Sequence, residues 1–191
     1  MILYLHGFRS SPHSFKARLL AERLHALGRG DDYLCPQLPP SPAAAIALAQ
    51  SLIASQPPER LTLIGSSLGG YYATWLAEQT GCRAVLLNPA VDPARDLQAY
   101  IGEQSAWHDP NERFEVKPEF MGELQALACG PVRHPERYFA VIAKGDEVLA
   151  WREMVGRYPG ARIELLEGGD HALSDFESHL RGVLDFLQLS R

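Results

Sequence analysis

The chain has 191 residues, 46% hydrophobic and 21% charged, with a formal net charge of −5 at pH 7. That length suits one domain able to bury about 70% of its unfolded surface, and the composition is that of a globular protein, which excludes a disordered chain. The mild negative charge and scattered basic residues speak against an electrostatic nucleic-acid binder, and no apolar run reaches the ~18 residues needed to span a bilayer.

Met1 leads straight into a first strand, Ile2 to His6, with no basic region or long apolar stretch such as a secretory leader carries. The loop Gly7-Phe8-Arg9-Ser10-Ser11 meets Pro12, so Ser11 is expected to cap a helix with Pro12 at its first position. Phe15, Leu19, Leu20, Leu24 and Leu27 fall on one face of that helix, and Gly28 ends it. Tyr33-Leu34-Cys35 reads as a short second strand. Ser41-Pro42 opens a helix carrying Ile46, Ala49, Leu52 and Ile53, which stops before Pro57-Pro58.

The stretch from Leu61 to Trp75 runs from a buried strand through a Gly-Ser-rich corner into an apolar helix. Gly65-x-Ser67-x-Gly69 is the nucleophile-elbow pattern. A turn that lifts Ser67 off the strand end holds it in strained geometry, and side chains two places either side would strike the adjoining strand and helix. The helix beginning at Leu68 also points unpaired N–H groups toward the place where negative charge would develop. The pattern lacks G-x-G-x-x-G and Gly-Lys-Ser/Thr, so a nucleotide cradle fits poorly.

Ala84-Val85-Leu86-Leu87 is a fourth strand ending at Asn88-Pro89, after the stop signal Gly81. Residues 91 to about 135 break the alternation: Tyr100, Ile101, Trp107, Phe114, Phe120 and Met121 sit among charges and prolines, as in a lid or binding loop. Tyr138 to Ala143 is strand five, a helix is expected from about Val148 to Tyr158, and Arg162 to Leu166 is strand six. Ser174 with Glu177 reads as a capping box for a last helix whose buried stripe is Phe176, Leu180, Val183, Leu184 and Leu187. Strand alternating with helix favours a parallel sheet covered on both faces. Cys35, Cys82 and Cys129, far apart and without C-x-x-C spacing, read as reduced thiols of a cytoplasmic protein, not as a disulfide frame or a zinc site.

A serine hydroxyl needs a base within hydrogen-bond reach. With an elbow nucleophile the order along the chain is serine, acid, histidine, each after the C-terminal end of a strand. Of seven histidines only His171 lies in the loop after strand six, which makes it the candidate base. Asp146, in Lys144-Gly145-Asp146-Glu147-Val148 after strand five, is the candidate acid, with Glu147 and Asp170 as rivals and an N-cap as its ordinary alternative. The oxyanion donors are expected to be the backbone N–H of Leu68 and that of Phe8 in the His6-Gly7-Phe8 loop, each worth about 3 kcal/mol to a transition state. His6 itself reads as a buried structural group, and Arg9 as a solvated arginine or a contact for an anionic substrate tail. Tyr71, Trp107 and Phe114 could line an acyl pocket.

Taken together, Tyr4 to Pro12, Pro36 to Pro40, Gly65 to Trp75, Asn88-Pro89-Ala90, Gly145 to Leu149 and Glu167 to Ala172 resemble the YqiA-like family of small bacterial α/β-hydrolase esterases. The resemblance implies a compact hydrolase with Ser67 as nucleophile, Asp146 as acid and His171 as base, cleaving carboxylic esters or thioesters of simple acyl groups. No motif of that family matches between about Ala94 and Arg137. The expected fold is one domain over 1–191, a three-layer α/β/α sandwich with about six parallel strands, a minimal α/β-hydrolase with a cap-like insert at about 91–135. Its expected ligand is a small-molecule acyl ester or thioester, with no metal or organic cofactor, no nucleic acid and no membrane. A transferase or peptidase using the same three residues, and a binding protein on the same frame, are the other readings.

Overall fold

The structure, a computed structural model, describes residues 1–189. In chain order its elements are β1 (Ile2–Leu5), α1 (Phe15–Ala26), β2 (Tyr33–Leu34), α2 (Pro42–Ile53), β3 (Thr62–Ser66), α3 (Leu68–Thr80), β4 (Arg83–Leu87) and α4 (Pro93–Asp96). There follow β5 (Gly102–Ser105), β6 (Arg113–Val116), α5 (Glu119–Ala126), β7 (Tyr138–Ala143), α6 (Trp151–Arg157), β8 (Arg162–Leu166) and α7 (Phe176–Phe186). Six strands make one sheet in the order β2-β1-β3-β4-β7-β8, and every neighbouring pair in it is parallel.

Parallel strands covered on both faces carry apolar residues at every position. In β1, β3, β4 and β7 alternate residues divide cleanly between two cores. Leu3, Leu5, Leu63, Ala84, Leu86, Ala140 and Ile142 pack with α2, α3 and α6. Tyr4, Ile64, Val85, Leu87, Phe139 and Val141 pack with α1 and α7. The expected three-layer sandwich is therefore present.

The connection from β1 runs outward to β2 at the edge, while the chain from β3 onward steps the other way through β4, β7 and β8. The loops leaving the C-terminal ends of β1 and β3 consequently lead to helices on opposite faces, and a crevice opens between them, as at any such reversal of strand order. β1 and β3 lie side by side, with Leu5 in register with Gly65. The elbow and the Gly7-Phe8 loop meet in this crevice.

Several element starts differ from expectation. α1 begins at Phe15 with Ser14 as its N-cap residue. Ser11 is buried, and its Oγ accepts from the His13 N–H at 3.2 Å, closing a turn before the helix instead of capping it. The buried stripe of α1 is Ala17, Leu20 and Leu24, while Phe15 is 48% exposed. α6 starts at Trp151, not Val148. The capping box of α7 does not form. The Ser174 hydroxyl donates to Asp170 Oδ2 at 2.6 Å, and the helix starts two residues later at Phe176.

Residues 91–135 contain α4, an antiparallel hairpin of β5 and β6, and α5. Buried Val116, Phe120, Leu124 and Leu127 anchor the segment. Glu123 of α5 accepts from the Ser41 hydroxyl at 2.7 Å and the Ala43 N–H at 2.9 Å, so the insert supplies acceptors at the start of α2, where helix amides lack partners. Among the described residues no helix is long and apolar enough to cross a membrane, and the three cysteines are free.

Candidate active site

Ser67 sits between β3 and α3 with φ 55° and ψ −120°, a conformation that costs of order 1–3 kcal/mol and persists only where the surroundings impose it. Its N–H donates to Leu87 O at 3.0 Å, and its carbonyl accepts from Ala90 N at 3.0 Å and Gly70 N at 2.9 Å. A Cβ at Gly65 would lie 2.2 Å from Gly69 O, and one at Gly69 would lie 1.9 Å from Leu5 O. The helix backbone thus crowds one glycine and strand β1 the other, so neither position admits a side chain.

The Ser67 hydroxyl lies 3.0 Å from His171 Nε2, and His171 Nδ1 lies 2.7 Å from Asp146 Oδ2. The Asp146 side chain is wholly buried. Its Oδ1 accepts from the N–H groups of Val148 at 2.8 Å and Leu149 at 2.7 Å. A carboxylate holding this many donors acts as acceptor, so Nδ1 carries the imidazole proton and Nε2 is left to accept from Ser67. Asp146 does not cap the following helix, which starts at Trp151 with Ala150 as its N-cap residue; its Oδ1 closes the turn ahead of that helix while Oδ2 meets the imidazole.

The rival carboxylates are engaged elsewhere. Glu147 accepts from the His171 backbone N–H at 3.0 Å. Asp170 accepts from the Ser174 N–H and hydroxyl at 2.9 and 2.6 Å, contacts that hold its carboxyl below the usual range.

The β1 loop lies against the elbow: a Cβ on Gly7 would be 3.1 Å from Ser67 Cβ. Among the described residues, neither the Phe8 nor the Leu68 N–H donates to a protein acceptor. His6 holds this loop from behind. The Leu38 N–H donates to its Nε2 at 3.0 Å, which leaves Nδ1 to donate to Gly7 O at 3.0 Å. Burial pushes the His6 pKa down, assisted by nearby His108 and opposed by the Gly7 bond.

Ser67 and His171 open into a cleft of about 620 Å³. Its walls include Phe8, Leu97, Tyr100, Trp107, Val148 and Leu149, with Ser14, Phe15 and Lys16 from the start of α1. Trp107 is there as expected and 70% exposed. Phe114 is not. It packs edge-on against Phe8, with ring centroids 5.9 Å apart, and lines a neighbouring hollow of about 310 Å³ that shares Gly7, Phe8 and Leu68 with the cleft. Tyr71 also stands apart, buried in the core with its hydroxyl donating to Leu124 O at 2.8 Å. Arg9 is half-buried on the cleft wall and partly engaged by neutral groups. Its Nε donates to Ser105 O at 2.6 Å, its guanidinium lies 3.9 Å from the Trp107 ring centre, and its carbonyl accepts from Trp107 N at 2.8 Å.

One positioning residue went unassigned in the sequence. Asn88 is fully buried with φ 43°. Its Oδ1 accepts from Ala143 N at 2.8 Å, and its Nδ2 donates to the carbonyls of Asp170 at 3.0 Å and His171 at 3.2 Å. The side chain ties the ends of β4 and β7 to the histidine loop. A polar residue directly after a buried strand and before Pro89 was the available signal.

A family model described as "Uncharacterised protein family (UPF0227)", the YqiA family, matches residues 1–188. Among solved structures the chain is similar to mouse alpha/beta hydrolase domain-containing protein 10, with TM-score 0.74 and 16% identity over 97% of this chain and 90% of that one. It is also similar to the esterase domain of a Rhodothermus marinus protein, with TM-score 0.65 and 22% identity over 99% of this chain and 84% of that one. For the Pyrococcus furiosus esterase Pf2001 the TM-score is 0.60, with 16% identity over 98% of this chain and 79% of that one. At these identities the likeness establishes the α/β-hydrolase fold.

Proposed function

We infer that this chain, which belongs to the protein family UPF0227, is a serine hydrolase that cleaves carboxylic esters or thioesters of simple acyl groups. The observation that carries this reading is the unbroken chain from Ser67 Oγ through His171 to a buried Asp146, at 3.0 and 2.7 Å, opening into a cleft beside unpaired amides. The esterase names of two similar structures speak for ester cleavage.

In this mechanism His171 Nε2 takes the Ser67 proton as Oγ attacks the acyl carbon. The negative oxygen of the tetrahedral intermediate faces the Phe8 and Leu68 amides, fixed donors that need no reorganisation as charge develops. Collapse breaks the bond to the leaving alcohol or thiol, which departs with the proton from His171. Water, deprotonated by the same imidazole, then attacks the acyl-enzyme and frees the acid and Ser67. Asp146 holds the tautomer and stabilises the imidazolium without taking its proton. Residues 91–135 act as the cap, with Leu97, Tyr100 and Trp107 as apolar walls for the acyl chain.

The test is Ser67→Ala, assayed on a chromogenic short-chain ester and with a fluorophosphonate probe. Turnover falls by about 10⁴-fold or more and labelling disappears, while the thermal melt is retained. A variant that hydrolyses the ester at the wild-type rate removes Ser67 from the reaction.

A further inference from the structure

We propose that Lys16, on the first turn of α1, forms a leaving-group subsite that accepts an anionic group, a carboxylate or a phosphate, on the alcohol or thiol portion of the substrate. The proposal rests on the serine-hydrolase reading above and narrows its substrate class.

Ser14, Phe15 and Lys16 line the same cleft as Ser67 and His171. The Lys16 ammonium donates to the carbonyl of Ala172, the residue that follows His171. An ammonium has three donors, and this contact uses one. Among the described residues no carboxylate lies within ion-pair distance of Lys16; Asp170 and Asp146 act on it only at longer range. Burial pushes the Lys16 pKa down to about 8 against the pull of those two carboxylates. It is therefore a cation at neutral pH held partly out of water without a paired anion, an arrangement that costs free energy until an anion arrives.

Ser14, two residues before Lys16, belongs to the same wall of the cleft. Its Oγ is the only buried side-chain polar atom among the described residues that has no hydrogen-bond partner. As the N-cap residue of α1 it makes no capping bond, and that end of the helix carries the positive end of the macrodipole. An anion at Lys16 engages the spare ammonium donors and lies near the positive end of the α1 dipole. Arg9, the other cation of the cleft, makes two hydrogen bonds to Ser105 and lies over the Trp107 ring, on the hairpin side of the cleft.

The side of the substrate follows from the chemistry. His171 delivers its proton to the departing oxygen or sulfur, so the leaving group lies beside His171. Lys16, tied to Ala172, stands on that side.

The test uses three aryl butanoates that share the phenolic leaving oxygen and differ only at the end of its side chain, which bears a carboxylate, a phosphate or a neutral methylamide. With the full-length protein, kcat/KM for the charged esters exceeds that for the amide by about 10- to 100-fold, the worth of hydrogen bonds to a charged group. The Lys16→Gln variant brings the ratio close to one, and Lys16→Arg restores part of it. Comparing the carboxylate with the phosphate identifies the anion. If Lys16 merely ties down the histidine loop, Lys16→Gln slows all three esters alike and the ratio persists, which overturns the proposal. So does a wild-type enzyme that turns over the amide ester and takes a fluorophosphonate label without preferring the charged esters. Failure to hydrolyse any of the three, with no label on Ser67, refutes the serine-hydrolase reading itself and the subsite with it.

Discussion

Asn88→Asp isolates the tie between β4, β7 and the histidine loop. Aspartate has nearly the same shape and tolerates the left-handed backbone of this position, φ 43°, about as well as asparagine. It keeps an acceptor for Ala143 N. What changes is Nδ2, which donates to the carbonyls of Asp170 and His171 at 3.0 and 3.2 Å and becomes an oxygen facing two oxygens. Two hydrogen bonds at about 1 kcal/mol each, plus a buried acceptor without a donor, amount to about 3–5 kcal/mol. At about 2–4 °C per kcal/mol for a chain of this size, the melting temperature falls by roughly 10 °C. The new carboxyl is destabilised in its charged form, so its folded pKa lies above the unfolded value of about 3.9. The penalty is therefore present at neutral pH and shrinks as pH falls through the raised value, where the protonated acid donates one bond back. Urea unfolding of both proteins at pH 7.5 and pH 5 reads this convergence. Loosening the carbonyl of His171 also shifts its imidazole, and a displacement near 1 Å costs about 100-fold in turnover. A variant within about 1 kcal/mol of wild type, with unchanged fluorophosphonate labelling, refutes the assignment of Asn88 as the anchor of that loop.

The carboxylates rank by what they touch. Asp146→Asn lowers kcat by about 10⁴-fold, because an amide opposite Nδ1 favours the wrong tautomer. Glu147→Gln keeps an oxygen for the His171 backbone N–H and stays within about tenfold; steady-state kinetics giving the reverse order hands the role to Glu147. Burial holds His6 neutral with its pKa depressed. Below about pH 6.5 the unfolded chain binds a proton there that the native protein resists, so stability drops as pH falls through that value. His6→Gln removes this component, and urea melts from pH 7.5 to 5 show a shallower loss than wild type; equal slopes count against a neutral, buried His6.

The sheet and the three candidate groups were legible because each depends on short-range rules. Fully apolar runs at Ile2, Ala84 and Tyr138 could only be strands buried on both faces, and the elbow glycines announce a turn with no room for a side chain. Chain order then singled out His171 and Asp146, since a parallel sheet puts every strand's C-terminal loop on the same rim. Element starts were harder to read. Ser11 and Ser174 have the right identity for caps but are claimed by His13 N and Asp170 respectively, and nothing in the local pattern says which acceptor or donor a hydroxyl will choose. The hairpin of β5 and β6 was missed because Gly102–Ser105 and Arg113–Val116 carry only one buried residue between them, so no alternation betrays them.

Long-range partners decide where these side chains end up. Arg9 meets Ser105 96 residues away, Lys16 meets Ala172 156 away, and Tyr71 meets Leu124 53 away. Arg9, which sequence reading offered for an anionic tail, holds the hairpin against the Phe8 loop through Ser105 and Trp107, while Lys16 on the first turn of α1 reaches the carbonyl after His171. The placement of Lys16 follows from the switch point. The loop after β1 must cross the cleft mouth before α1 can begin on its own face of the sheet, so the residues that complete this crossing, Ser14 to Lys16, are delivered to the side of the cleft where His171 stands. A helix starting at Pro12, as the sequence suggested, would have spent those residues on an ordinary solvated turn.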